Sequence, residues 1–320
     1  MLVMKPMPDS QTAAALADAR RIFTASVVAR EVLRDAARAL NERGIPIMPL
    51  KGVLFQQVLY ADPAERDLRD VDVLVPEERF AEAIEVLIEH GFAPRRAGRS
   101  WIEVGLTSPR GLPLDLHRRL FCSFRYRMPT DDLFRRASVD SEWMEAPLWI
   151  LHPHDAFAHL VGKFVSDHVP SEARPRLLEL AKLAQHFRLE APSLARHLVE
   201  CGLARAARHV LGQGARELGE PFFDAVIREL PRDLLGQWLV SAAGLLEKRV
   251  LERSRLASLS AHLLNTSLPR GATSLGMAAV YRARHAQLSR AKGTRGGYWA
   301  PFFSASISSA RRKASSARKS

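Results

Sequence analysis

Cysteine is scarce in this chain. Two occur in 320 residues, Cys122 and Cys201, far apart and in no metal-like spacing. That excludes a disulfide framework and points to a reducing compartment, so a cytoplasmic location is expected. Long apolar runs are also missing. The longest, Trp238–Leu246, is interrupted by Ser241 and Gly244 and closed by Glu247 and Lys248. A membrane span needs about 20 mostly apolar residues, so this run reads as a core helix. The opening MLVMKPMPDS places Pro6 and Pro8 where a signal peptide needs an apolar stretch, and export is not expected.

Acidic residues are absent after Glu252. Of the 47 Lys and Arg residues, 13 follow it, leaving 34 against all 35 acidic residues. The net charge of +12 therefore belongs to the C-terminal part, and the body before it is nearly neutral. A nucleic-acid reading of the whole protein is excluded on that distribution. The tail from Ala291, with the run SASISSARRKASSARKS, reads as disordered. Its basic residues, and Tyr298, Trp299, Phe302 and Phe303 beside them, suit contact with nucleic acid or an anionic membrane surface. Flexible basic ends without a specific partner are equally common.

What is present is a hydrophobic fraction of 47%, ample for a core, in a chain long enough for two domains. Apolar residues from Ser10 to Arg43 recur at helical spacing and Gly44 closes the pattern. Ile45–Leu50 reads as a buried strand, Val53–Tyr60 as a helix, and Val71–Val75 as a strand stopped by Pro76. Glu77–His90 is an amphipathic helix closed by Gly91. Trp101–Leu106 and Leu112–Leu116 read as strands joined by a turn at Ser108–Gly111. This order indicates an α+β domain with a small mixed sheet. Beyond about residue 148 the texture is helical: His154–His168, Glu172–Arg188, Ser193–Leu218, Pro221–Glu229, Asp233–Leu264 and Ser274–Arg290. The expected organisation is a helical segment 1–44, an α+β domain 45–147, a helical domain 148–290 and a basic tail 291–320.

The chemistry concentrates in Arg69-Asp70-Val71-Asp72-Val73-Leu74-Val75. Residues two apart on a strand share a face, so Asp70 and Asp72 project together while the valines face the core. Two like charges on a half-buried strand are costly unless neutralised, and a divalent cation with a taste for carboxylate oxygen does so. Asp115 has the same setting between Leu114 and Leu116. If the two strands are neighbours, three carboxylates converge as a two-metal phosphoryl-type transfer requires. Lys51-Gly52 sits where a strand passes into a helix, a place where backbone N–H groups and a lysine can meet phosphate. Lys51 could instead pair with the acidic cluster.

The run PLKGVLFQQVLYADPAERDLRDVDVLVPEERFAEAIEVLIEHGF, followed by LPLDLHRRL, resembles the uncharacterised nucleotidyltransferase family of the polymerase-β-like superfamily. The resemblance rests on Lys51-Gly52, Leu59-Tyr60, Arg66, Asp70-Val71-Asp72, Leu74-Val75, Gly91-Phe92 and Asp115-Leu116-His117, and continues weakly through Pro153, Asp155 and His159-Leu160. It implies a nucleotidyltransferase-like sheet with flanking helices and a helical C-terminal domain. It implies Mg²⁺ or Mn²⁺ on Asp70, Asp72 and Asp115, and an NTP, ATP among them, as co-substrate. Lys51, Gly52, Arg66, Arg69 and His117 become candidate nucleotide-binding residues. Arg66 and Arg69 could equally pair with Asp67 and Asp70, and His117 could support a metal ligand, stack on a base or simply pack. Where the wider superfamily places Gly-Ser, this chain has Lys51-Gly52, and where the family often carries a later Asp it has Glu179.

The expected activity is transfer of an NMP group to an unidentified acceptor: a small molecule, a peptide or protein side chain, or RNA. The rivals are an inactive fold serving as a binding protein and a toxin-like tRNA-modifying nucleotidyltransferase. Zinc is not expected on His152, His154, His159 and His168, which lack helical ligand spacing and have no cysteine nearby in sequence. Covalent catalysis is not expected either, since Cys122 has no positioned base.

Overall fold

The computed structural model describes residues 10–99, 102–122, 125–167 and 172–233. The helices expected beyond Asp233 and the basic tail lie outside the described residues.

Helix α1 spans Ser10–Glu42. Its Ala-rich sequence favours helix, and Ala29, Val32, Leu33, Ala36, Ala37 and Leu40 share one fully buried stripe. Gly44 ends it at φ +62°. There Ile45 N–H donates to Leu40 O (2.9 Å) and Gly44 N–H to Asn41 O (2.9 Å), a Schellman closure that favours glycine at the left-handed position. The chain continues through β1 (Met48–Pro49), α2 (Lys51–Leu59), β2 (Val71–Leu74), α3 (Phe80–Glu89), β3 (Ala93–Arg99), β4 (Glu103–Thr107) and β5 (Pro113–His117).

These strands form one five-stranded sheet in the order β1-β2-β5-β4-β3. β2 and β5 run parallel and every other pair is antiparallel, so the sheet is mixed as expected. The strand expected over residues 45–50 is shorter than its apolar run, because only Met48 and Pro49 pair with β2. β3 was not expected: its sequence, APRRAGR, has no apolar alternation. After it come α4 (Thr130–Arg136) and a separate hairpin of β6 (Ser138–Asp140) and β7 (Leu148–Ile150).

The rest is helical: α5 (Pro153–Ser166), α6 (Ala173–His186), α7 (Ala191–Glu200), α8 (Ala204–Leu218) and α9 (Pro221–Glu229). The single helix expected over 193–218 is two, because Gly202 at φ +76° turns the chain between α7 and α8. The chain divides into two compact units. One draws on Met1–Pro76, Val86–Arg118 and Phe134–His152, the other on Glu77–Glu85, Arg119–Leu133 and Pro153–Ser320.

In the second unit α8 and α9 meet at a glycine. A Cβ on Gly214 would stand 2.6 Å from Cε2 of Phe223 and 3.3 Å from Cδ2 of Leu177. Phe223 is fully buried. Gly214→Ala gains roughly 1 kcal/mol of helix propensity, yet overpacking a closed core costs about 1–3 kcal/mol. With two ring atoms inside contact distance, the overlap wins. A net loss of about 1 kcal/mol is expected, read as a lower urea midpoint at unchanged slope. An unchanged or higher midpoint would show that the ring repacks without cost.

Candidate active site

Asp72 occupies the centre of the sheet and is 7% exposed. Its strand partner across the parallel β2–β5 ladder is Asp115. Directly opposed residues on neighbouring strands lie about 4.8 Å apart and point to the same face, and Asp70 precedes Asp72 by two residues at the start of β2. The three acids singled out in the sequence are thus brought to one side of one sheet. Leu114 and Leu116, flanking Asp115, are fully buried on the other face.

Each acid meets positive charge. Lys51 Nζ lies 3.0 Å from Asp72 Oδ2 and His117 Nε2 lies 2.9 Å from Asp72 Oδ1, so each carboxylate oxygen has its own partner. Burial by itself would push the Asp72 carboxyl up, but Lys51 and His117 outweigh it and hold the group well below the usual carboxylate range. His117 Nδ1 in turn lies 3.3 Å from Glu103 Oε2, and the two residues are cross-strand partners on β5 and β4. Asp115 pairs with Arg95 of β3 at 2.7 Å. Burial pushes its carboxyl up to about 6, with Arg95 opposing and repulsion from Asp72 adding to the rise. Asp70 is half-buried and is raised by that burial and by Asp72, against the pull of Lys51, Arg66 and Arg95.

The local sequence explains these placements. Lys51 takes φ +22° and Gly52 φ +4°, ψ −98°, so α2 begins with a kink rather than a regular first turn. Gln56, one turn later and buried, lies within hydrogen-bond distance of Ser26 Oγ (2.6 Å) and of the carbonyls of Pro63 (2.9 Å) and Arg66 (3.0 Å). It ties the loop that carries Arg66 to α1 and α2. Arg69 points elsewhere: its side chain is 82% exposed and pairs with Asp67 at 3.3 Å. Arg95 and Glu103 were not foreseen in the sequence. A charge alternating with small residues in APRRAGR was the one available signal for Arg95.

The donor set suits a hard divalent cation, being three carboxylates on one face with two of them raised by burial and by repulsion from Asp72. Their ligand atoms do not all lie within 4.8 Å of one another, which fits a site whose charge is met by Lys51, His117 and Arg95. A cavity of about 470 Å³ in the same unit is lined by Arg30, Arg34, Gln57, Asp140, Glu142, Trp143 and Met144 and shares no residue with this group.

The burial of Asp115 has a cost in stability. A carboxyl raised above its unfolded value binds its proton more tightly in the folded protein, so its contribution is favourable in acid and is lost as pH rises through about 6. In metal-free protein, Asp115→Asn is therefore expected to be more stable than wild type at pH 8, by about 1–3 kcal/mol at 1.36 kcal/mol per pKa unit after loss of the Arg95 pair. The advantage shrinks below pH 6 and vanishes near pH 4. Denaturant titrations at three pH values check it, and a pH-independent difference would refute the raised Asp115 carboxyl.

Residues 4–217 match the model of the family described as uncharacterised nucleotidyltransferase. No curated protein matches the chain. Among solved structures, a nucleotidyltransferase-like antigenic protein from Paracoccidioides brasiliensis is similar at 10% identity, covering 64% of this chain and 94% of its own, with a TM-score of 0.42. The antibiotic-resistance factor ANT(2'')-Ia is similar at 13% identity, over 71% of this chain and all of its own, with a TM-score of 0.37. The Thermotoga maritima CCA-adding enzyme, solved with tRNA, is similar at 10% identity, over 84% and 85%, with a TM-score of 0.23. No helix among the described residues is long and apolar enough to cross a membrane. On the match to two thirds of its length, the chain belongs to the uncharacterised nucleotidyltransferase family and is a nucleotidyltransferase.

Proposed function

We propose that the chain moves a nucleotidyl group from an NTP to an acceptor hydroxyl on the Asp70–Asp72–Asp115 face. The observation that carries this reading is the register of Asp72 against Asp115 on adjacent parallel strands, with Asp70 two residues away. The acceptor oxygen bonds to the α-phosphorus, the bond to the bridging oxygen breaks, and pyrophosphate leaves. A divalent ion, Mg²⁺ or Mn²⁺, held by the three carboxylates would supply neutralising charge to the triphosphate and activate the hydroxyl.

The chain's own residues do the rest. Asp115, across the ladder from Asp72, would hold the ion near the acceptor hydroxyl and help deprotonate it. Lys51 exchanges its pairing with Asp72 for a phosphate oxygen, a short move for a flexible ammonium at 24% side-chain exposure. Arg66 and Arg95, both within reach of the field of Asp70, add to the positive charge facing the triphosphate. His117 stays behind Asp72 and keeps its oxygen oriented between β5 and β4. Gly52 lets the backbone turn beneath these groups.

The test is incubation with Mg²⁺ and each α-labelled NTP in the presence of cell extract, total RNA and a small-molecule fraction. Label moves to one acceptor class, and Asp72→Asn lowers transfer at least about 100-fold. Arg69→Ala, exposed and paired away from the site, stays within about twofold of wild type. Loss of Asp72 without effect on transfer sinks the assignment of the site. Absence of both transfer and Mg²⁺-dependent NTP binding sinks the activity on this face.

A further inference from the structure

The second unit holds a cluster that the proposed transfer does not use. Asp155 lies in the first turn of α5, His197 in the last turn of α7, and Cys201 at the C-cap of α7. His197 Nε2 is 2.9 Å from Asp155 Oδ1 and 3.5 Å from Cys201 Sγ, and one ligand atom from each of the three residues lies within 4.8 Å of the others. Asp155 is fully buried and Cys201 is 3% exposed.

Two features set this cluster apart from an ordinary ion pair. Both partners address the same ring nitrogen, which has a single in-plane direction to offer, either one N–H or one lone pair. A Cys–His–Asp nucleophile requires the opposite, with the carboxylate on one nitrogen and the thiol on the other. The distances also have a metal-like pattern. Ligands around a tetrahedral zinc ion, at about 2.3 Å for sulfur and about 2.0–2.1 Å for nitrogen and oxygen, stand about 3.6 Å apart for S···N and about 3.3 Å for N···O. The S···N separation is already there, and the N···O separation has to open by only about 0.4 Å to reach that value. His197 and Cys201 are four residues apart, one turn of one helix face, which is ligand spacing.

We propose that Asp155, His197 and Cys201 form a second metal site, taking a zinc-class divalent ion on one carboxylate oxygen, one imidazole nitrogen and one thiolate sulfur. Thiolate and imidazole favour such an ion over Mg²⁺, so this site and the carboxylate face select different metals. Loading releases two protons to solvent, that of the Cys201 thiol and the one His197 Nε2 shares with Asp155, and the ion takes the Nε2 lone pair so exposed. The 15% exposure of the His197 side chain leaves the way in. A fourth position remains for water or for His154, whose ring stands edge-on to His197 with centroids 5.8 Å apart. The site ties α5 to α7 and does not depend on the transfer reaction.

Cobalt(II) is the probe, because a cobalt–thiolate bond gives a charge-transfer band in the near ultraviolet. Metal-free full-length protein titrated with Co²⁺ is expected to show that band saturating at one ion per chain, and Zn²⁺ to abolish it. Cys201→Ser loses the band and Cys122→Ser keeps it. Asp70→Asn/Asp72→Asn also keeps it, which separates the site from the carboxylate face. Zn²⁺ raises the melting temperature of wild type and not of Cys201→Ser. A wild type without the band, or a band that survives in Cys201→Ser or disappears in Cys122→Ser, overturns the proposal. Should Cys201→Ser fail to fold, wild type and Cys122→Ser still decide the matter, since the sequence has no third cysteine.

Discussion

A carboxylate buried in the middle of a sheet is the constraint on which the first unit is built. Asp72 cannot be ionised at 7% exposure without partners, and the surrounding elements supply them from opposite sides. α2 brings Lys51 because its first turn is kinked, and β5 brings His117 because its register carries Asp115 alongside Asp72. β4 then places Glu103 behind His117, and β3 places Arg95 on Asp115. The strands of the sheet's centre and far edge thus supply a single balanced set: Asp72 from β2, Asp115 and His117 from β5, Glu103 from β4 and Arg95 from β3. Removing Lys51 or His117 leaves Asp72 with uncompensated charge in a poorly solvated place.

That balance also describes how an anionic substrate can be received. Acids and bases alternate across the face, so a triphosphate does not meet a preformed positive pocket. It meets cations already paired with carboxylates. Such a site repels free phosphate less than bare carboxylates do, and it holds its geometry without a ligand.

Much of this was legible in the chain because strand periodicity is a strong signal. Val71, Val73, Leu114 and Leu116 mark the buried face, and the acids between them had to lie on the other. Arg95 was not legible, since β3 pairs through its backbone while its sequence lacks the apolar alternation that announces a strand. The break at Gly202 was hidden for a related reason: a glycine inside a run of helix formers reads as tolerated until its φ is known. Asp155, His197 and Cys201 were out of reach altogether. His197 and Cys201 share a helix face, but the third member is 42 residues from His197 and only the packing of α5 against α7 brings it in.

The pairing of β2 with β5 has a bearing on the order in which the protein acquires its parts. Parallel neighbours cannot be joined by a tight turn, and here a helix and two further strands intervene between Asp72 and Asp115. The loop that must close is long, so bringing Asp115 beside Asp72 carries a closure cost that a tight turn would not. A nascent or half-folded chain therefore offers an ion Asp70 and Asp72 alone, with no opposing carboxylate. The three-carboxylate face is thus a product of long-range strand pairing rather than of any one stretch of chain.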